Sequence, residues 1–104
     1  MLESLLAGIE LNLQAIDEKI AEFLSDKWSL QTLPDVMLYI LRFGSFELRY
    51  MKDVPLKVVI DEYVAIGASF FEEKKVTFLN GILNNLAKHY RADEFAQFGK
   101  KHDK

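Results

Sequence analysis

A chain of 104 residues, half of them hydrophobic, with no cysteine and a formal charge of −3, holds one domain and is not wholly disordered. Disulfides, thiolate catalysis and cysteine-based zinc sites are excluded, and the mild acidity argues against a strongly basic nucleic-acid binder. No apolar run approaches the roughly 18–20 residues that span a bilayer, and the N-terminus lacks the basic start of a secretory signal. A cytoplasmic protein without a membrane partner is expected.

Leu2, Leu5, Leu6, Ile9, Leu13, Ile16, Ile20, Phe23 and Leu24 recur at steps of three and four, which predicts a first amphipathic helix. About 25 residues long, it would span roughly 37 Å and end near Ser25-Asp26. Trp28 to Leu33 reads as a connector. Pro34 suits the first turn of a second helix, where its missing N–H costs nothing.

That second helix, about Pro34 to Met51, carries two apolar stripes. One is Met37, Ile40, Leu41, Gly44, Leu48 and Met51; the other is Tyr39, Phe43, Phe46 and Tyr50. Only Arg42, Ser45, Arg49 and Lys52 form a polar face. So apolar a helix is expected to be central and covered on two sides.

Asp53-Val54-Pro55 is a break. A third helix, about Pro55 to Phe71, turns Leu56, Val59, Ile60, Tyr63, Gly67 and Phe70 inward, and a fourth, about Glu73 to Tyr90, uses Leu79, Ile82, Leu83, Leu86 and Tyr90. Residues 1–91 are read as the helical domain and 92–104 as a polar tail that adds a turn of helix or frays. Gly44, Gly67 and Gly81 each fall inside a helix at roughly 1 kcal/mol against alanine. That predicts close helix crossings, with approach of a ligand to the backbone the alternative, chiefly at Gly81. The fold class is therefore all-α, a bundle of about four main helices.

Charge is distributed unevenly. Glu3, Glu10, Asp17, Glu18, Glu22 and Asp26 face only Lys19 and Lys27 in residues 1–28, whereas Lys74, Lys75, Lys88, Arg91, Lys100, Lys101 and Lys104 face only Asp93, Glu94 and Asp103 in residues 74–104. An anionic partner at the C-terminal end is one reading; two ordinary solvated faces is the other.

Catalysis finds no support. The five glycines are scattered rather than gathered in a phosphate loop. His89 and His102 lack a partner at metal-ligand spacing. Asp61-Glu62 and Glu72-Glu73 are neighbours that diverge by about 100° on a helix, and no serine has a nearby histidine. No enzyme, catalytic residue, metal or cofactor is expected.

Five segments in register carry a resemblance: Leu5-Leu6-Ala7-Gly8-Ile9, Leu41-Arg42-Phe43-Gly44-Ser45-Phe46-Glu47-Leu48, Asp53-Val54-Pro55, Lys57-Val58-Val59-Ile60 and Phe78-Leu79-Asn80-Gly81-Ile82-Leu83. Over about residues 3–91 the chain resembles the NusB family of transcription antitermination factors. The family fold is two small helical bundles. The resemblance corresponds to the last helix of the first bundle plus the complete second one, and the family's arginine-rich N-terminal segment has no counterpart here. With a long apolar stripe on helix one and two stripes on helix two, an exposed apolar patch is expected to mark an interface, hence a homo-oligomer or a tight partner.

The resemblance implies binding of boxA-like single-stranded RNA jointly with the ribosomal protein NusE. The candidate RNA-side residues it supplies are Lys57, Phe70, Phe78 and Asn80. Lys74 and Lys75, in the adjoining loop, are added for their charge. Aromatic rings stack unpaired bases and lysines neutralise phosphates. The competing reading for Phe70 and Phe78 is core packing, and for Asn80 a hydrogen bond between helices. Two alternatives to RNA binding stand: a NusB-like interaction or dimerising scaffold, and the helical domain that precedes a catalytic one in rRNA cytosine methyltransferases. The last would place any cofactor loop or nucleophile outside these 104 residues.

Overall fold

The computed structural model describes the backbone of residues 2–24 and 27–102 and the side chains of residues 7–24 and 27–97. Its helices are α1 (Leu2–Glu22), α2 (Asp35–Tyr50), α3 (Leu56–Phe70), α4 (Glu73–Tyr90) and α5 (Ala92–His102). The four helices expected from periodicity are present, and the fold is all-α. α1 is shorter than its apolar stripe suggests. It closes at Glu22, after which the N–H groups of Phe23 and Leu24 donate to the Ile20 and Ala21 carbonyls at 3.0 and 3.3 Å. The expected end at Ser25-Asp26 lies outside the described residues, as do the side chains of Leu2, Leu5 and Leu6. The segment read as a polar tail carries α5.

α2 is the central helix, in contact with α1, α3 and α4. Its first stripe supplies Met37, Ile40, Leu41, Gly44 and Leu48 to the core. They meet Ile9, Ile16 and Ile20 from α1, Leu56, Val59, Ile60 and Tyr63 from α3, and Leu79, Ile82, Leu83 and Leu86 from α4. At roughly 1.5–3 kcal/mol for each fully buried large apolar side chain, this shared core is the main stabilising term. The second stripe is only partly covered: Phe43 and Phe46 pack against the core, while Tyr39 and Tyr50 are exposed. Burial pushes the Tyr63 phenol up, with the Glu47 carboxylate beside it acting in the same direction, so it stays protonated.

The polar face expected on α2 is not a solvated one. Ser45 is completely buried, and its hydroxyl has no partner among the described residues. Arg42 makes a bidentate pair with Asp17 of α1, Nε to Oδ1 at 2.9 Å and Nη2 to Oδ2 at 2.8 Å. Those hydrogen bonds hold the guanidinium pKa above its already high value. The Arg49 guanidinium lies over the Tyr50 and Tyr90 rings, at 4.9 and 5.8 Å from their centroids. A helix in contact with three others has little circumference left for water, so its polar residues were recruited to helix crossings instead.

Of the three glycines singled out in the sequence, two mark crossings, as does Gly8 of α1, where a methyl would stand 2.5 Å from Phe46 Cζ. A methyl on Gly67 would stand 2.5 Å from Leu79 Cδ2, and one on Gly44 2.9 Å from Leu83 Cδ2. Gly81 differs: no atom of a described residue lies within 4 Å of the place a methyl would take, so no crossing of the described helices accounts for it.

The prolines and a buried arginine organise the turns. Pro34 and Pro55 sit just ahead of α2 and α3, at the cap positions. The four C-terminal carbonyls of an α-helix lack intrahelical donors, and at α2 Arg91 serves two of them, with two more carbonyls from the turn that follows. Its Nε donates to the Leu48 carbonyl at 2.8 Å, and Nη2 donates to those of Glu47 and Met51 at 3.0 and 2.9 Å. Nη1 donates to the Val54 carbonyl and, at 3.2 Å, to Glu94 Oε1. A guanidinium has five N–H groups, and each has an acceptor here. Glu94 Oε2 in turn accepts from the Leu56 N–H at 2.7 Å. A cation thus meets the negative end of α2 and a carboxylate the positive end of α3, both favourable to the helix dipoles.

Candidate nucleic-acid interface

The connection between α3 and α4 is only Phe71-Glu72, so residues at the end of α3 and the start of α4 share one corner. Phe71 turns back: its N–H closes on the Gly67 carbonyl at 2.9 Å, and its ring packs against the core. Phe70, one residue earlier, therefore points away and is 62% exposed. The expectation that Phe70 turns inward is not met, because the tight turn gives the inward place to Phe71.

Lys74 and Lys75 occupy the first turn of α4. Lys74 is exposed and Lys75 half-buried, its Nζ 6.0 Å from the centre of the Phe71 ring. Neither forms a salt bridge with a described residue. Cations at a helix N-terminus oppose the dipole by a few tenths of a kcal/mol or more, so folding stability does not account for the pair. Phe78, one turn on, is half-buried, with its ring centroid 6.1 Å from that of Trp28 and tilted by 40°. Trp28, Leu33, Pro34, Met37 and Phe78 line a groove of about 270 Å³, with Lys74, Lys75 and Glu72 also bordering it.

Four of the six sequence-derived residues (Phe70, Lys74, Lys75 and Phe78) thus gather at one corner. The other two do not. Asn80 lies two residues beyond Phe78, which on a helix is about 200° of rotation. It borders a shallow groove with Val64, Phe71 and Thr77 of the α3–α4 face. Its carbonyl and Oδ1 accept from Asn84 Nδ2 at 2.8 and 3.3 Å, so its hydrogen bonds stay within α4 rather than joining helices. Lys57 lies thirteen residues before Phe70, about 20 Å along α3, and its ammonium is 2.6 Å from Asp61 Oδ2.

Two residues were not singled out by sequence reasoning. Trp28, read as connector, is a wall of the groove; its being the single tryptophan of the chain was the available signal. Arg91, counted with the basic C-terminal end, is buried and fully engaged in capping. It therefore contributes nothing to an anion-attracting surface, and the basic surface narrows to the lysines. The side chains of Lys100, Lys101 and Lys104 lie outside the described residues. No helix among the described residues is long and apolar enough to cross a membrane.

Comparison with known proteins agrees with this architecture. A transcription antitermination protein NusB from Maricaulis maris is 43% identical over 93 residues, covering 89% of this chain and 58% of its own length. One from Nitrobacter hamburgensis is 37% identical, covering 88% of this chain and 57% of its own. A solved structure of T. maritima NusB superposes with a TM-score of 0.80 at 38% identity, over 89% of this chain and 66% of that one. The chain thus spans a little over half the length of these curated relatives. The profile described as the NusB family matches residues 1–88, and the chain belongs to that family.

Proposed function

We propose that this protein binds boxA-like single-stranded RNA together with the ribosomal protein NusE, acting in the cytoplasm in transcription antitermination and termination. It works by binding, without a cofactor. The observation that carries this reading is the α3–α4 corner, where Phe78, Lys74 and Lys75 border one groove and an exposed Phe70 ends α3 two residues before the turn is complete. Rings of that kind supply stacking at roughly 1–3 kcal/mol per base, tolerant of sequence. Lysines that form no salt bridge among the described residues supply phosphate neutralisation, which is salt-dependent. Asn80 and Lys57 join the interface only if the strand continues along the α3–α4 face. The names of the relatives supply the process.

A second reading has one observation in its favour. Leu11, on the outer side of α1, is 86% exposed, and Tyr39 and Tyr50 of α2 are exposed as well. Apolar side chains in water fit a protein-interaction or dimerising scaffold, including a homo-oligomer.

Fluorescence anisotropy of a labelled boxA-type RNA, titrated with the protein in the presence of excess NusE, tests the first reading against a NusE-only control. It expects binding beyond the control that weakens as salt rises. Folded protein that adds nothing to the control overturns it. Sedimentation as a stable oligomer indifferent to RNA would then support the scaffold.

A further inference from the structure

We propose that the groove between the Trp28–Met37 segment and α4 is a pocket for one unstacked nucleobase of the bound strand, with Lys74 and Lys75 holding the adjoining phosphates. The inference rests on the RNA-binding reading above and extends it to a residue outside the family-derived set, Trp28. The walls are apolar and partly aromatic: Trp28, Leu33, Met37 and Phe78. The Trp28 and Phe78 rings are 6.1 Å apart and tilted by 40°, so they form an angled cleft rather than a closed stack. A flat heterocycle stacks on one ring and meets the edge of the other, an arrangement aromatic pairs favour. The volume of about 270 Å³ lies just under the roughly 300–1,000 Å³ of pockets for drug-sized ligands, which suits a single base and not a helix or strand.

Charge selects the occupant. An apolar protein side chain would fill the same walls but leave two ammonium groups, neither in a salt bridge among the described residues, beside an uncharged ligand. A nucleotide uses both halves of the site, its base in the cleft and its phosphates against Lys74 and Lys75. Glu72 also borders the groove. Its carboxylate repels phosphate and accepts hydrogen bonds, so it directs the backbone to the lysine side and leaves an acceptor for an exocyclic amino group.

Trp28 is the only tryptophan, which makes its fluorescence a local probe. The full chain, with NusE in excess, is titrated with a boxA-type RNA and with a series of the same oligonucleotide carrying one abasic position each; NusE alone is the background. The expected result is quenching of Trp28 that follows the anisotropy curve. One abasic position should lose roughly tenfold or more in affinity together with the quenching. The Trp28→Leu variant should flatten the dependence on that position, while Lys74→Ala/Lys75→Ala weakens every oligonucleotide alike. Because the abasic series uses the unaltered protein, the test stands even if Trp28→Leu fails to fold. Salt-dependent binding in which no abasic position alters Trp28 emission overturns the pocket and leaves the RNA-binding reading intact. Absence of RNA binding overturns both. Quenching by a leucine-rich peptide but not by RNA reassigns the groove to protein docking.

Discussion

The two ends of the α3–α4 hairpin are built on opposite terms. At the end where α3 begins and α4 finishes, Arg91 and Glu94 meet the carbonyls of α2 and the first N–H of α3, and all five N–H groups of the guanidinium are used. At the other end, Lys74 and Lys75 sit where the helix dipole disfavours them, without a carboxylate among the described residues, beside a largely exposed Phe70. Both ends carry basic residues in sequence, at the open end directly after Glu72 and Glu73. Charge becomes structure when helix termini consume it, and stays available for a partner when they do not.

Breaking the satisfied end should have the largest consequence. Arg91→Met removes five hydrogen bonds and strands the α2 carbonyls. It should lower the unfolding free energy by about 3–5 kcal/mol, a large share of the roughly 5–15 kcal/mol typical of a domain. Arg91→Lys should recover little, since an ammonium lacks the planar fork. Urea denaturation measures both, and a loss under about 1 kcal/mol for Arg91→Met would mean that the network is ornamental. Gly67→Ala comes next: its methyl would press on Leu79, and overpacking of this kind costs about 1–3 kcal/mol.

The open end should respond in function rather than stability. Lys74→Ala/Lys75→Ala should leave the urea midpoint almost unchanged or raise it slightly, because two cations leave the start of α4. RNA affinity at low salt should fall about tenfold. The slope of log K against log salt should shrink by about 1.4 if each lysine neutralises one phosphate of a single strand. Equal salt slopes for variant and parent would remove both lysines from the interface. The smallest effect is expected at Gly81, where open space means that Gly81→Ala gains up to about 1 kcal/mol of helix stability. If the same change weakens RNA binding, the backbone there approaches the ligand.

The helices were legible because their signals are local. Steps of three and four residues locate α1 to α4, and Pro34 and Pro55 mark two of the starts within a residue. The burial of Gly44 and Gly67 followed from the cost of a helical glycine, but the same argument failed at Gly81, which has no neighbour to accommodate. Arg91 was misread because its acceptors lie about forty residues upstream, and nothing in the local sequence distinguishes a buried cap from a surface cation. Ser45 was misread for a related reason: on a helix in contact with three others it falls on a covered side, while the remaining exposed strip carries Tyr39 and Tyr50. At the candidate site the cluster of Phe70, Lys74, Lys75 and Phe78 joins two aromatics supplied by the resemblance to two lysines added for their charge, brought to one corner by the two-residue α3–α4 turn. Asn80 and Lys57 were grouped with it by resemblance, and helix geometry sets them apart. Trp28 reaches the groove only through the tertiary fold, from the far side of the α1–α2 connector.

The most direct test of the contrast between the two ends is an amide and indole NMR map of the isotope-labelled protein, with NusE in excess, before and after adding boxA-type RNA. The largest shifts are expected across Phe70–Phe78 and at the Trp28 indole, with Leu48, Leu56 and Glu94 unmoved. Shifts concentrated instead around Lys57 and Arg91, or along the outer side of α1 near Leu11, would contradict that contrast.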